Sequence, residues 1–574
     1  MENPQLDTKL RSTPFRLPQL STMGYTLLLL IIAFLVLYPV LLILISSFEV
    51  GKFGTETTIG LHNWKVAFDD PNLLSSMINT VTLATSRQAL AITLGVFLAW
   101  LIARTDLPGK HWFEFGFWIA TFMPVLAVTL SWILILDDFN GLANKWLLQL
   151  PFIEEAPFNI YSYWGIQWVH IMTGTLPVKI MLLAPAFRNM NSSLEEASRI
   201  SGSSSFGTLL KITVPIMTPA ILIALVLGML RSLEAFEVEL ILGMPSQIDV
   251  YSTMIYKLIY QSVPEYGIAS VLSIAALLFV LPMVIIQQII SSRKNYATIS
   301  GKHSAGIIKL GGFKWVAFAF MAIIMVLMTI MPVVVLILSS FSKIFGRFGS
   351  GMWTLDHWKT IVNFTGFTDS LINTFLIAGG GAFLAIPLLF LVTYISVRTQ
   401  YKARGVLDFL TWIPTTIPGI IIGLGFLWFF LKTPLLNGLY GTLWVLIIVV
   451  ILANITIGSQ LMKSTMIQIG NEIEEASVIS GASWFYTMRK IVFPLIAPAA
   501  TVVFIIIFAA AARSTSYFAL LSTANNKPLS LLQLDMMMDG SLEKATVVGV
   551  ILLFITITMA LIVRKYGMSK GIKY

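Results

Sequence analysis

The 574-residue sequence contains no cysteine and few charged residues. The lack of cysteine excludes a disulfide framework, a thiolate metal site and a cysteine nucleophile. Charged residues make up 11% of the chain, whereas soluble domains average about 25%. Because 57% of the residues are hydrophobic and the mean hydropathy is +0.84, the composition predicts a membrane protein with many spans.

Two further motifs are missing. A P-loop ATPase needs a Gly-Lys pair followed by Ser or Thr, but the pairs that begin at Gly51, Gly109 and Gly301 lack that residue. We therefore expect no catalytic residue and no cofactor on this chain. The five histidines lie far apart without paired ligand spacing, so we predict no metal site. His62 and His357 are interpreted as loop residues beside tryptophans.

Long apolar stretches dominate the rest of the sequence. A helix needs about 20 apolar residues to cross a bilayer, and only helices or closed barrels satisfy their backbone groups in lipid. The fold class is therefore predicted to be all-α and polytopic. Hydropathy predicts about twelve spans, at 24–48, 76–103, 112–137, 161–187, 214–244, 266–291, 313–341, 370–397, 407–431, 442–461, 492–522 and 544–564.

The net charge of +9 is distributed as in a membrane protein. Lys and Arg cluster in alternate connecting segments, which favours a cytoplasmic location for these segments and for both termini. This pattern argues for contact with membrane lipid and against nucleic acid. The first span follows a polar stretch of more than twenty residues and is too long for a signal-peptide core, so we interpret it as a retained helix.

The sequence contains an internal repeat. "YPVLLILISSF" (38–48) matches "MPVVVLILSSF" (331–341), "INT" at 78–80 recurs at 372–374, and "ART" at 103–105 corresponds to "VRT" at 397–399. Each copy has six predicted spans, so the two halves should share one orientation. We predict the following domains: a cytoplasmic tail (1–22), a first half (23–291), a cytoplasmic linker (292–312) and a second half (313–574).

The strongest repeat is polar. Residues 195–215 ("EEASRISGS…") and 474–494 ("EEASVISGA…") agree at 13 of 21 positions, and both follow the fourth span of their half. The apolar spacing predicts a short helix that has acids near its start, where the helix dipole favours them. Gly202 and Gly481 should end these helices in a left-handed turn. A second amphipathic stretch should lead to Pro215 or Pro494 at the start of the fifth span.

This double segment closely resembles the EAA loop of binding-protein-dependent ABC importer permeases of the type I fold. The resemblance implies a permease with fused halves that works by alternating access. In that family the loop is the coupling helix, seated in a groove of an ATP-binding subunit. The one departure is serine at the third EAA position, Ser198 and Ser477. The positions carried over are Glu195, Glu196, Ala197, Gly202, Ile212, Pro215, Glu474, Glu475, Ala476, Gly481, Ile491 and Pro494.

The resemblance also implies partners and a location. Two copies of an ATP-binding subunit, which carry ATP and Mg, should dock at the two loops. A periplasmic or lipid-anchored solute-binding protein should deliver the solute at the opposite face. The chain would then be a multi-pass protein of the bacterial plasma (inner) membrane.

Charged residues at the predicted outer end of the fifth spans mark a candidate translocation pathway. "LRSLEAFEVEL" (230–240) and "ARSTSYFAL" (512–520) align Arg231 with Arg513, and ionised groups inside a membrane should face a pathway or each other. Arg231 and Glu234 are three residues apart and should pair. Glu237 and Ser516 complete the candidate set. One interpretation is a neutralised structural pair with acids at the outer rim, including Glu239, and the other is contact with a cationic or metal-bearing solute.

Three softer segments, "EAFEVELILG", "YATISGK" and "KPLSLLQLDMMMDG", look most like the fused ferric-iron permease group. The resemblance implies iron(III) as the solute, and related permeases for phosphonate, thiamine or polyamine stay open. Two rival classes are a secondary transporter with parallel repeats and a membrane scaffold or channel. Neither rival gives a reason for two EAA loops.

Overall fold

The computed structural model describes residues 19–51, 56–191, 193–292 and 306–569. Most of the predicted N-terminal tail and linker therefore lie outside the described residues. Within the described ranges the chain is mostly helical, and its two strands, β1 (Glu49–Val50) and β2 (Thr58–Ile59), form a small antiparallel hairpin. This confirms the predicted all-α class.

The helices divide evenly between the halves. Those of the first half are α1 (Gln19–Phe48), α2 (His62–Asp69), α3 (Pro71–Arg104), α4 (Lys110–Ala120), α5 (Val125–Leu136), α6 (Leu142–Leu147), α7 (Tyr163–His170), α8 (Leu176–Arg188), α9 (Ser193–Ile200), α10 (Ser205–Thr208), α11 (Val214–Leu233), α12 (Tyr251–Tyr260) and α13 (Tyr266–Ser292). Those of the second half are α14 (Phe313–Met325), α15 (Met331–Ser340), α16 (Asp356–Val362), α17 (Thr365–Arg398), α18 (Arg404–Trp412), α19 (Gly419–Lys432), α20 (Leu443–Ala453), α21 (Ile455–Gln468), α22 (Glu472–Ile479), α23 (Trp484–Thr487), α24 (Phe493–Arg513), α25 (Leu529–Met538) and α26 (Leu542–Ser569).

Some of these helices are continuous through short segments of another helix type. Five-residue π segments join α7 to α8, α10 to α11, α14 to α15 and α23 to α24, and a further π segment covers Glu239–Gly243. Two short 3-10 helices cover Ile413–Thr416 and Asn437–Leu439. The π segments that precede α11 and α24 occupy equivalent places in the two repeated loops.

Nine helices within the described ranges are long and apolar enough to cross a membrane, and the number rises to 12 if each of three bent pairs counts as one span. The bent pairs explain where the predicted spans were too simple. The stretches predicted at 112–137 and 407–431 are each two helices that meet at 105° and 111°. Pro124 and Pro418 occupy the same place in the repeat, immediately before α5 and α19. Proline lacks the N–H that would continue the preceding helix, which accounts for the breaks.

The fifth spans are shorter than predicted. α11 ends at Leu233 instead of continuing to 244, and α24 ends at Arg513 instead of 522. In both halves the chain then turns and forms a short helix that hydropathy did not predict, α12 in the first half and α25 in the second. The apolar residues after each arginine had extended the predicted spans. The first helix also starts earlier than the predicted first half, at Gln19.

The halves interlock through their first spans. α1 packs against α18 and α19 of the second half, and α15 packs against α5 of the first half. Ser131 Oγ donates to the Pro332 carbonyl over 2.9 Å, and Thr329 Oγ1 donates to the Gly116 carbonyl over 3.1 Å. Each half therefore depends on the other for part of its core, which fixes the position of the surfaces between them.

The matched motifs at the start of each half form the same contact. Trp64 stacks on Phe48 with 5.7 Å between ring centroids and donates to Ser47 Oγ, while Trp358 stacks on Phe341 at 5.6 Å. The Trp358 indole likewise donates to a serine hydroxyl, that of Ser340. The repeated tryptophans therefore hold α2 and α16 against the ends of the first spans.

The interface between the second and fourth spans is built differently in the two halves. Gly95 of α3 lies against Lys179 of α8, and a Cβ on Gly95 would fall 2.6 Å from the Lys179 Cβ. In the second half the large residue is on the other helix, because Leu389 of α17 lies against Gly458 of α21, where a Cβ would fall 2.4 Å from Leu389 Cδ1. Gly95 and Leu389 occupy the same position in the repeat.

Candidate functional site

The two repeated loops have the same backbone. In the first, α9 ends at Ile200 and Gly202 adopts φ +87°, and in the second, α22 ends at Ile479 and Gly481 adopts φ +85°. The residue after each glycine donates its N–H to a carbonyl five residues back, which is the Schellman arrangement. A Cβ on either glycine would have no atom within 4 Å, so the backbone angle and not the space requires glycine. The predicted left-handed turns are confirmed.

A second short helix follows each turn. Ser204 and Ser483 cap α10 and α23 by accepting hydrogen bonds from backbone N–H groups, as serine does at helix starts. Each short helix continues through a π segment into the fifth span, where Pro215 and Pro494 stand in the first turn of α11 and α24. The loops are therefore rigidly continuous with the fifth spans, as their sequences predict.

The serines that depart from the EAA pattern have a structural role. Ser198 Oγ lies 3.2 Å from Thr208 Oγ1, and Ser477 Oγ lies 2.9 Å from Thr487 Oγ1. Each pair joins the helix before the glycine turn to the helix after it. The two threonines also repeat in the sequence, so the spacing of ten residues was visible but its meaning was not.

A buried carboxylate attaches each loop to the second span of its half. Glu195 is 2% exposed and forms an ion pair with Arg104, while Thr213 Oγ1 donates to its other oxygen over 2.6 Å. Arg104 and Arg398 are the repeated arginines at the ends of α3 and α17. Glu195 is therefore an internal anchor of the loop and does not belong to its exposed face.

The second anchor is looser. Arg398 Nε lies 3.2 Å from Glu474 Oε1 without hydrogen-bond geometry, and the Tyr394 hydroxyl donates to Glu474 Oε2 over 3.3 Å. Arg398 also donates to the carbonyls of Met466 and Ile469. Burial raises the pKa of Glu474, because Arg398 and Tyr394 only partly offset the loss of water.

The outward faces of the loops match residue for residue. Glu196, Ala197, Glu475 and Ala476 are exposed. Large apolar side chains stand beside them at equivalent positions: Leu194 and Ile473, Ile200 and Ile479, and Phe206 and Phe485. Ile200 is 88% exposed and Ile479 is 86% exposed. Apolar side chains this exposed, repeated on two surfaces, mark an interaction site. Ile212 and Ile491 are half-buried behind this face.

The predicted pathway residues come together where the fifth spans end. Arg231 Nη1 lies 2.9 Å from Glu234 Oε2, so the predicted pair is present. Glu237 faces the backbone N–H groups of residues 515 and 516 in the other half. Arg513 interacts electrostatically with both Arg231 and Glu237. Charges of both halves therefore share one region of the bundle.

The broken third spans border this polar region. Arg513 Nη1 donates over 2.5 Å to the carbonyl of Thr121, which lies at the break between α4 and α5. Ser516 packs against the start of α19, where a Cβ on Gly419 would fall 2.3 Å from the serine hydroxyl. Irregular backbone at membrane depth needs such protein partners for its polar groups. The two breaks and the two fifth-span ends thus form one polar zone.

One predicted outer-rim acid lies elsewhere. Glu239 is buried and accepts hydrogen bonds from Arg87 at 2.7 Å and from His170 at 2.8 Å. The prediction of an outer-rim position for Glu239 is therefore wrong, because the chain turns back into the bundle after α11. Gly381 stands where the repeat has Arg87, so the cluster belongs to the first half alone. One sign of this cluster was visible in the sequence, because Arg87 and Glu239 are charged residues inside the predicted spans 76–103 and 214–244.

Among the described residues, no group of three or more His, Cys, Asp or Glu side chains is arranged to hold a metal ion. In and near the polar zone, Glu234 and Glu239 pair with basic residues, and Glu237 faces backbone amides. The described residues therefore form a polar lining inside an apolar helical bundle, and they do not form a metal coordination shell.

A duplicated helical bundle with paired loops and a shared polar zone defines a membrane transport component. Residues 91–296 and 389–566 match the family described as "binding-protein-dependent transport system inner membrane component". The chain belongs to this family, and the family domain is present twice. It is accordingly the transmembrane permease of an ABC importer, which confirms the class predicted from the repeated loops.

Two ferric transport permeases are similar to nearly the whole chain, and a phosphonate permease is similar to about half of it. The ferric transport system permease protein FbpB of Actinobacillus pleuropneumoniae is 27% identical over 560 residues, which cover 93% of this chain and 76% of the relative. The Fe(3+)-transport system permease protein FbpB 2 of Haemophilus influenzae is 23% identical and covers 96% and 100%. A putative 2-aminoethylphosphonate permease, PhnU, of Salmonella typhimurium is 25% identical but covers only 46% of this chain.

Among solved structures, a bacterial ABC transporter that imports the acidic polysaccharide alginate aligns with a TM-score of 0.40 and 20% identity. The alignment covers 48% of this chain and 96% of that chain.

Proposed function

We propose that this permease imports iron(III), delivered by an external solute-binding protein and driven by two copies of an ATP-binding subunit. The observation that carries the importer cycle is the matched outward face of the two loops. Iron(III) as the solute is supported by the similarity of this chain, over almost its full length, to ferric transport permeases. The half-length likeness to a phosphonate permease makes phosphonate the rival solute in the test.

Each ATP-binding subunit would sit on one repeated loop. The exposed pairs Ile200 and Ile479, with Phe206 and Phe485, would enter an apolar groove, and Glu196 and Glu475 would lie at its edge. Burial of a large apolar side chain contributes roughly 1.5–3 kcal/mol. ATP and Mg would be bound by the partner subunits. In this proposal the loops and both termini would lie on the cytoplasmic side.

Solute would pass through the polar zone between the halves. Glu237 contacts the backbone of residues 515 and 516 within it, and Arg231 with Glu234 forms a neutral pair at its edge. In the proposed cycle, movement of the loops tilts the fifth spans, and the zone opens first outward and then inward. The permease forms no covalent bond, because its function is to change between two packings whose populations ATP and the loaded binding protein shift.

The test is transport by purified components. The chain, its ATP-binding subunit and its solute-binding protein are reconstituted in proteoliposomes, with labelled iron(III) or labelled 2-aminoethylphosphonate outside. We expect ATP-dependent uptake of iron alone. Uptake of the phosphonate and not of iron would refute iron(III) as the solute. Uptake without the ATP-binding subunit would refute the ATP-driven cycle.

A matched pair of variants tests the proposed lining. Glu237→Gln removes a carboxylate from the zone, whereas Glu234→Gln breaks the pair with Arg231. If Glu237 contacts the solute, Glu237→Gln should slow iron uptake more than tenfold and leave basal ATP hydrolysis intact. Equal uptake by the Glu237 variant and the parent would favour the purely structural interpretation.

A further inference from the structure

We infer that residues 104–106 form a junction that carries movement of the first repeated loop directly into the second half. Arg104 and Asp106 are then positioning residues for the transport cycle. This inference rests on the proposed function, because it concerns how the loops drive the two halves.

Arg104 has two separate roles at this junction. Its guanidinium holds Glu195 of the first repeated loop, and its backbone carbonyl accepts the N–H of Ile308 over 2.8 Å. Ile308 in turn accepts the N–H of Asp106 over 3.1 Å. Asp106 Oδ1 accepts the N–H of Leu310 over 2.8 Å. Three consecutive residues thus bind the loop on one side and residues 308–310 on the other.

Residues 308–310 lead straight into the second half. α14 begins at Phe313, and Phe318 on this helix contacts Phe113 of α4 with 5.4 Å between ring centroids. Thr105 is 0% exposed and Ile308 is 2% exposed. Hydrogen bonds shielded from water in this way hold their geometry. A shift of α9 therefore reaches α14 through two short connections.

Around the second loop, the described contacts to the other half involve side chains. Arg398 holds Glu474, and in the described residues the Tyr401 hydroxyl lies 2.9 Å from Thr26 Oγ1 of α1 while Tyr25 packs on the Tyr401 ring. No backbone bridge like that of Thr105 and Ile308 is present there within the described ranges.

An insertion test breaks the link without touching either loop. Gly-Ser-Gly-Ser is inserted between Gly311 and Gly312, so that residues 308–310 no longer pull on α14. The matched control places the same four residues between Tyr296 and Ala297, which lengthens the connection before the junction. ATP hydrolysis by the reconstituted complex is measured with and without solute-loaded binding protein.

We expect the Gly311 insertion to reduce stimulation by loaded binding protein at least fivefold at unchanged basal hydrolysis, while the control insertion retains stimulation. Full stimulation in the Gly311 variant, or equal loss in both variants, would overturn the junction. The unmodified chain is assayed in parallel, and lack of stimulation there would instead refute the proposed function.

Side-chain variants separate transmission from folding. Asp106→Asn keeps the Oδ1 acceptor for the Leu310 N–H, whereas Asp106→Ala removes it. We expect stimulation to fall severalfold in the alanine variant and to be close to that of the parent in the asparagine variant. Similar loss in both, together with reduced yield of folded protein, would indicate a structural role only.

A cross-link gives a second readout, because the chain has no cysteine of its own. Thr105→Cys combined with Ile308→Cys places two thiols at the parallel bridge. If the junction moves as one unit, the oxidised variant should retain full stimulation. Loss on oxidation that a reductant restores would show that the junction must open during the cycle, and would overturn the inference.

Discussion

The two repeated loops present the same face from different interiors. In the first half, Glu195 is enclosed by Arg104 and Thr213, while in the second half Glu474 is 17% exposed beside Arg398 and Tyr394. Val492 stands where the first loop has Thr213. The exposed residues match because both loops present the same surface to a partner. The buried residues differ because their function is only to hold each loop in place.

The largest expected effect comes from changing the glycine turns, which the two loops share. Replacing both Gly202 and Gly481 by valine forces a branched side chain to adopt a left-handed backbone, at about 1–2 kcal/mol per residue, and adds bulk on the partner face. We expect loss of ATP hydrolysis stimulated by loaded binding protein, with normal membrane insertion. Single variants show whether the loops count equally. Undiminished stimulation in an assembled double variant would refute the role of the loops.

The next effect should separate the anchors. Arg104→Met leaves the buried Glu195 carboxylate without its cationic partner and with only the Thr213 hydroxyl, and breaking a buried ion pair in this way costs about 3–5 kcal/mol. Arg398→Met should cost less, because Glu474 reaches solvent and keeps Tyr394. Thermal unfolding in detergent should show a larger loss for the Arg104 variant. Adding Glu195→Met to Arg104→Met should restore much of the stability, and failure to do so would mean that the ion pair is not what holds the site.

A smaller, pH-dependent effect distinguishes the carboxylates. Burial raises the pKa of Glu474 above its ordinary 4.5. The folded chain therefore binds this proton more tightly than the unfolded chain, and the contribution to stability falls as pH rises from 4.5 through the folded pKa. Glu474→Gln stays neutral and should remove this decline, so that it matches or exceeds the parent in stability at pH 7. A large loss at pH 7 would contradict this account.

The smallest effect concerns the hydroxyl pairs. Ser198→Ala and Ser477→Ala each remove one hydrogen bond between the arms of a loop, worth about 0.5–1.5 kcal/mol. Because Ser477 is the more buried and has the shorter contact, its variant should lose more thermal stability. Equal losses would mean that the two pairs contribute alike despite their different burial.

The sequence predicted the helical class, the duplication and the loop geometry, because these depend on local patterns. Composition sets the membrane class, and the glycine turn follows from a short helix that ends in Ser-Gly. The bends at Pro124 and Pro418 were missed because apolar runs continue through them, so hydropathy reports one span. The burial of Glu239 was missed because its partners, Arg87 and His170, are 152 and 69 residues away. No spacing rule connects groups at such distances.

The exchange of large and small residues between the second and fourth spans has an evolutionary consequence. If the fourth span of the second half replaced that of the first, Gly458 would face Gly95 and leave a void. In the reverse exchange, the side chain of Lys179 would collide with Leu389. Each half is therefore matched within itself, so a single helix cannot be exchanged between the halves without a change in its neighbour. The fused chain therefore holds two separately matched helix pairs, and a substitution at Gly95 or Gly458 calls for a compensating change at Lys179 or Leu389 of the same half.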